Sequence, residues 1–140
     1  MVIVVVVSNF WLYLRYFTSG VTCFVQKIIY RDMGIPAACT LRKNRMENCP
    51  LMTEKELKKL GRGSMDFKSS DDGIFIVKWF DNKEVVVASN HYSALPVSQV
   101  RRWDKVKKFY VSIFCPMLIS VYNQGMGGVD RCDQLLAFYR

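Results

Sequence analysis

The sequence is poor in the residues that most site chemistries need in sets. Its 140 residues include one histidine, His91, and five cysteines at 23, 39, 49, 115 and 132. No CxxC pair occurs, which argues against a zinc site. The odd, scattered cysteines argue against a disulfide framework and for a reducing compartment. No cysteine has a base in its sequence context, so nucleophilic catalysis is unsupported. A glycine-rich phosphate loop is missing too. Acids are scarce: 12 Asp and Glu stand against 20 Lys and Arg, for a net charge of +8. That balance favours a polyanion, either nucleic acid or an anionic membrane surface, without choosing between them. A solvated basic face is the plain alternative. Long apolar runs are also lacking. The stretch Val2 to Val7, followed by Ser8-Asn9-Phe10-Trp11-Leu12-Tyr13-Leu14 and then Arg15, is shorter than the ~20 residues of a membrane helix. No positive charge precedes it, so the start of a signal peptide is missing. The β-branched run reads as a buried strand, with a membrane or signal segment as the alternative.

What is present suits one domain with its own core, since 51% of the residues are hydrophobic. Residues 2–7 read as a strand. Residues 19–32 place Val21, Phe24, Val25, Ile28 and Ile29 near helical spacing, with Gly34 as a stop. Ile35 to Leu41 reads as the next strand, so the opening is a strand-helix-strand crossover of α/β type. Residues 42–72 turn polar and basic. Thr53-Glu54-Lys55-Glu56 is a capping-box start to a short helix through Leu57 and Leu60, ended by Gly61. Residues 62–73 read as a loop. Residues 74–80 and 84–90 flank Asp81-Asn82-Lys83 and predict a β-hairpin. A strand is expected around 108–114. Pro116 fits the first turn of a helix through about Tyr122, and a second helix is expected from Val129 to the chain end.

Two sets of residues are candidates for chemistry. Arg42, Lys43, Arg45, Lys55, Lys58, Lys59, Arg62 and Lys68, then Arg101, Arg102, Lys105, Lys107 and Lys108, concentrate positive charge. Trp79, Trp103 and Phe109 interleave aromatics, the composition of a phosphate-contacting surface without a base-reading code. The candidates for DNA contact are Arg42, Lys43, Arg45, Arg62, Arg101, Arg102 and Lys105. Near the C-terminus, Gly125-Met126-Gly127-Gly128-Val129-Asp130-Arg131-Cys132-Asp133 runs glycines into two aspartates three residues apart. Asp130 and Asp133 at that spacing share one helix face, a sensible way to present metal ligands. An acid in a helix's first turn is also favoured by the macrodipole with no metal at all.

From about residue 34 onward the chain resembles the C-terminal part of the piggyBac transposase domain. The blocks that carry the resemblance come in order: Gly34-Ile35-Pro36-Ala37-Ala38-Cys39-Thr40-Leu41-Arg42-Lys43-Asn44-Arg45, with Cys39 where glycine is usual; Cys49-Pro50-Leu51; Arg62-Gly63; Lys78-Trp79-Phe80-Asp81-Asn82-Lys83; and Tyr122-Asn123 through Met126-Gly127-Gly128-Val129-Asp130 to Asp133-Gln134. The resemblance implies an α/β fold with a partial RNase H-like core, built from strand-helix-strand plus C-terminal helices, carrying a strand-rich insertion. On that pattern residues 1–41 are partial core, 42–115 insertion and 116–140 the helical return. It also implies three acids holding two Mg²⁺ or Mn²⁺ ions at a phosphodiester. Asp130 matches the third acid, and Asp133 a further acid of that block; both are the implied metal ligands. The second acid's place, at the head of an Asp-Asn-aromatic-aromatic-Thr-Ser block, is taken by Ser8 before Asn9-Phe10-Trp11, or by Leu14 before Tyr16-Phe17-Thr18-Ser19. The first acid would lie upstream of Met1. The expectation is therefore a transposase-derived, nuclear remnant, catalytically inactive alone, that binds DNA non-specifically, with room for a homodimer and little case for a membrane partner. The alternatives are a fragment of an active metal-dependent transposase, and a non-functional or membrane-associated product.

Overall fold

A computed structural model of the chain describes residues 36–41, 46, 49–71 and 73–138. The expected strand at 2–7, the helix at 19–32 and its stop at Gly34 lie outside the described residues, as do Arg42, Lys43 and Arg45.

Strands β1 (Ala38–Thr40), β2 (Met65–Ser69), β3 (Phe75–Phe80) and β4 (Glu84–Ser89) form one sheet in the order β1-β4-β3-β2, with every neighbour antiparallel. The hairpin of β3 and β4 is its centre, in the register Val77↔Val87. Both faces of that hairpin are apolar. Val77, Trp79 and Val87 face one cluster, whereas Val86 and Ala88 face another with Cys39, Leu41 and Ile74. A sheet covered on both sides explains why β3 and β4 read as continuous apolar runs rather than as alternation.

Helix α1 (Glu54–Leu60) forms where its capping box stands. Glu56 N donates to Thr53 Oγ1, while Thr53 N donates to Glu56 Oε2 at 2.6 Å. Gly61 at φ +96° ends the helix. Its fully buried Leu57 anchors the helix, and α1 lies against β3.

A second, two-stranded sheet pairs β5 (Val97–Asp104) with β6 (Phe109–Pro116) from Val97↔Pro116 to Asp104↔Phe109. Its inner face puts Ile113 and Cys115 into the first cluster. Trp79 Nε1 donates to Phe114 O at 2.8 Å and ties the two sheets together. Gly63 approaches β6 closely: at φ +88°, a Cβ there would stand 3.0 Å from Phe114 N. Only glycine tolerates both that backbone and that distance.

Helix α2 (Met117–Ala137) follows β6 directly. Its first amides are satisfied by the preceding loop, with Met117 N donating to Ala94 O and Leu118 N to Ser93 O. Leu118, Ile119 and Tyr122 are buried in the first cluster. Further along, Arg131, Gln134, Leu135 and Phe138 are exposed, so the second half extends beyond the packed body.

Several expectations are corrected. The region 62–73 is not all loop, because β2 lies within it. Its Met-Asp-Phe-Lys-Ser sequence has weak strand propensity, and edge pairing to β3 supplies what propensity does not. The strand β5 is missed for the same reason, being rich in polar residues. Pro116 closes β6 rather than opening α2. The two C-terminal helices are one, running through Gly125, Gly127 and Gly128. Each interior glycine costs about 1 kcal/mol relative to alanine, too little to break a helix whose first half is fixed by core packing. Asp130 therefore lies inside a helix and not in its first turn.

Candidate nucleic-acid interface

The blocks that carry the family resemblance build the scaffold more than they offer reactive groups. Arg62 Nε donates to Asp81 Oδ1 at 2.7 Å, and Arg62 Nη1 lies 3.6 Å from Asp104 Oδ2. Arg102 Nε sits 3.8 Å from Asp81 Oδ2, and its guanidinium lies over the Trp79 ring at 6.0 Å. The chain Asp104, Arg62, Asp81, Arg102 thus alternates in sign and cancels. Lys78 is buried, donates to Met52 O at 2.9 Å and pairs with Glu84 at 3.2 Å. Met52 N in turn donates to Asp66 Oδ2 at 2.7 Å, which pins the segment before α1 to β2 and β3. Arg62, a candidate for phosphate contact, has its charge committed internally, whereas Arg102, another candidate, is part-exposed and only leans toward the same Asp81.

Arg101 and Lys105 are placed differently. Both are exposed, as are Lys107 and Lys108. Lys105, Lys107 and Lys108 occupy the turn between β5 and β6, and Asp104 organises that turn. Its Oδ1 accepts from Val106 N at 2.9 Å and Lys107 N at 3.1 Å, while Lys108 N donates to Asp104 O. The hydrogen bond from the Lys107 amide, joined by that of Val106 and by the Arg62 charge, holds the Asp104 carboxyl below its ordinary pKa. Asp104 faces inward and is satisfied, so the hairpin tip presents cations without a competing exposed acid. Arg101 lies over the Tyr110 ring at 5.2 Å, and Lys107 over Phe109 at 5.9 Å.

Beside Trp103 and Phe109, which composition points to, stand Tyr110 and Phe114, which it does not. All four are about half exposed. The alternation of β6 is the available signal, since Tyr110, Ser112 and Phe114 fall on one face at period two. The apolar residues between them, Val111 and Ile113, hide it.

Asp130 and Asp133 lie three residues apart on the second half of α2. Among the described residues no group of three His, Cys, Asp or Glu could hold a metal. Burial pushes the Cys115 and Cys49 thiols up, which disfavours thiolate chemistry at either. Among the described residues no helix is long and apolar enough to cross a membrane.

Residues 22–140 match the family model described as Transposase IS4. Human PiggyBac transposable element-derived protein 2 is 37% identical over 113 residues, which is 80% of this chain and 19% of that protein. Human PiggyBac transposable element-derived protein 3 is 38% identical over 109 residues, 78% of this chain and 18% of that protein. The chain spans about a fifth of the length of these curated relatives. No solved structure matches it. With the family model covering most of its length and its blocks built, among the described residues, into a mixed α/β fold of two sheets and two helices, the chain belongs to the Transposase IS4 family, in its piggyBac-type branch.

Proposed function

We propose that this chain is a transposase-derived remnant that binds DNA non-specifically and does not cut it alone. The observation that carries this reading is the tip of the β5–β6 hairpin. There Arg101, Lys105, Lys107 and Lys108 are exposed, while Asp104 is turned to the turn amides and Arg62. In a chain of net charge +8, such a tip suits contact with phosphates, which positions a protein on DNA without reading sequence. A nuclear location goes with this reading. So does the division into a partial RNase H-like core at 1–41, an insertion at 42–115 and a helical return at 116–140.

Among the described residues the donor set does not fit the metal pair that the family implies. A two-metal site draws carboxylates from separate elements that converge. Asp130 and Asp133 come from a single turn of α2. No cleavage step is therefore assigned to them. A second reading, a fragment of a longer metal-dependent transposase, is favoured by one observation. Asp130 sits mid-helix, where the macrodipole does not account for an acid.

Binding to a mixed-sequence duplex, followed by anisotropy over a range of salt, tests the first reading. The expected result is affinity that falls steeply with salt, by about 0.9 in log–log slope per phosphate contact. Absent or salt-independent binding would reject it. In Mg²⁺ or Mn²⁺ the chain is expected to leave supercoiled DNA intact. Nicking that disappears in Asp130→Ala would establish the second reading instead.

A further inference from the structure

The β5–β6 hairpin has two unlike faces. Alternation turns Val100, Val111, Ile113 and Cys115 toward the core. The opposite face carries three cross-strand pairs: Trp103 with Tyr110, Arg101 with Ser112, and Gln99 with Phe114. Trp103 is 47% exposed, Tyr110 58% and Phe114 59%. Aromatics of this size on one solvent face are unusual unless something binds there. Trp103 and Tyr110 meet at 5.1 Å with their planes at 71°, so they do not stack on each other and ring surface stays in solvent.

Charge selects the occupant. This face has no Asp or Glu, and the acid next to it, Asp104, is held inward by Arg62 and its own turn. Arg101 stands among the rings, and Lys105, Lys107 and Lys108 rim the tip. An apolar protein partner would use the rings and leave the cations unmatched. A duplex would use the cations and leave the rings idle, because its bases are stacked on one another. An unpaired strand offers both an anionic backbone and open base faces. Tyr110 and Phe114 lie four residues apart on β6, about 14 Å at the rise of an extended strand. That is enough for a few successive bases.

We propose that the outer face of the β5–β6 hairpin is a stacking platform for unpaired nucleic-acid bases, so that the chain prefers single-stranded to duplex DNA. This rests on the DNA-binding reading and narrows its substrate. Stacking is tolerant of sequence because every base has a π-face, and Arg101 adds a cation beside the ring it covers.

The test is a set of titrations of the 140-residue chain with oligothymidylate of about 15 nucleotides, with a duplex of equal length, and with anionic phospholipid vesicles. The variants are Trp103→Leu, which keeps apolar area but removes the ring, and Trp103→Phe, which restores a ring. Both sit on the solvent face, and circular dichroism verifies that they fold. Wild type is expected to bind the single strand more tightly than the duplex. Trp103→Leu should weaken single-strand binding about tenfold to a hundredfold and leave duplex binding unchanged, with Trp103→Phe recovering most of the loss. Equal single-strand affinity in Trp103→Leu, a parallel loss on both DNA forms, or a preference for vesicles would overturn the proposal. Duplex binding by wild type in those cases would leave the DNA-binding reading standing. Binding to neither DNA form would remove both.

Discussion

Gly63 shows how one residue decides whether two sheets can meet. Its backbone is left-handed and lies against Phe114, so a side chain is excluded twice over. Gly61 has a similar φ of +96° but open space around it. Gly63→Ala should cost more stability than Gly61→Ala, with the backbone share common to both at roughly 1–3 kcal/mol. Equal losses in urea titration would show that the approach to β6 is slack. The arginines divide in the same manner. Arg62→Ala removes a charged hydrogen bond to Asp81 and should cost about 1.5–3 kcal/mol, with little change in DNA affinity. Arg101→Ala should leave the melting temperature near wild type and lower the salt slope of DNA binding by about 1. Composition and charge runs made every one of these arginines a candidate. What separates Arg62 and Arg102 from Arg101 is the position of Asp81 and Asp104 in space, which pairing sets and sequence distance hides.

At the scale of elements, helix α1 depends on its first turn. It has seven residues, too few to be stable from propensity alone. Thr53→Ala should destabilise the fold by about 1 kcal/mol, read as a lower urea midpoint. The amide and hydroxyl of Thr53 hold the Glu56 carboxyl below its ordinary pKa. Support from that pair is thus complete above pH 4.5 and is lost as pH falls through the depressed folded value. In Thr53→Ala the acid-side loss of stability should shrink. Helix α2 gives the opposite kind of prediction. A Cβ at Gly128 would meet nothing within 4 Å, so Gly128→Ala should raise stability by up to about 1 kcal/mol. A decrease would mean that the second half of α2 is not helical in solution. Capping residues and the central hairpin were legible because their signals are local. The helix break expected between Tyr122 and Val129 is not realised, because packing of Leu118, Ile119 and Tyr122 is a tertiary effect. Strands β2 and β5 were illegible for a related reason: their pairing partners, not their own residues, make them strands.

In the whole molecule, the apolar face of the β5–β6 hairpin completes the core under α2, and its other face is basic and aromatic. The family was legible from ordered blocks, and the structure accounts for several of them as scaffold: Arg62, Gly63, Lys78, Trp79 and Asp81 hold sheets and loops together. The candidate interface lies largely outside those blocks, on residues whose grouping needs the β5–β6 register. Location of the binding energy is therefore the sharpest test of the account. The measurement is the salt dependence of duplex binding for Lys105→Ser/Lys107→Ser/Lys108→Ser beside Lys55→Ser/Lys58→Ser/Lys59→Ser, which removes the same charge from α1. Loss at the hairpin tip is expected to weaken binding and lower the log–log slope by roughly 3, while loss on α1 changes the slope far less. Equal effects of the two triple variants, or a larger effect on α1, would contradict a DNA-contacting hairpin.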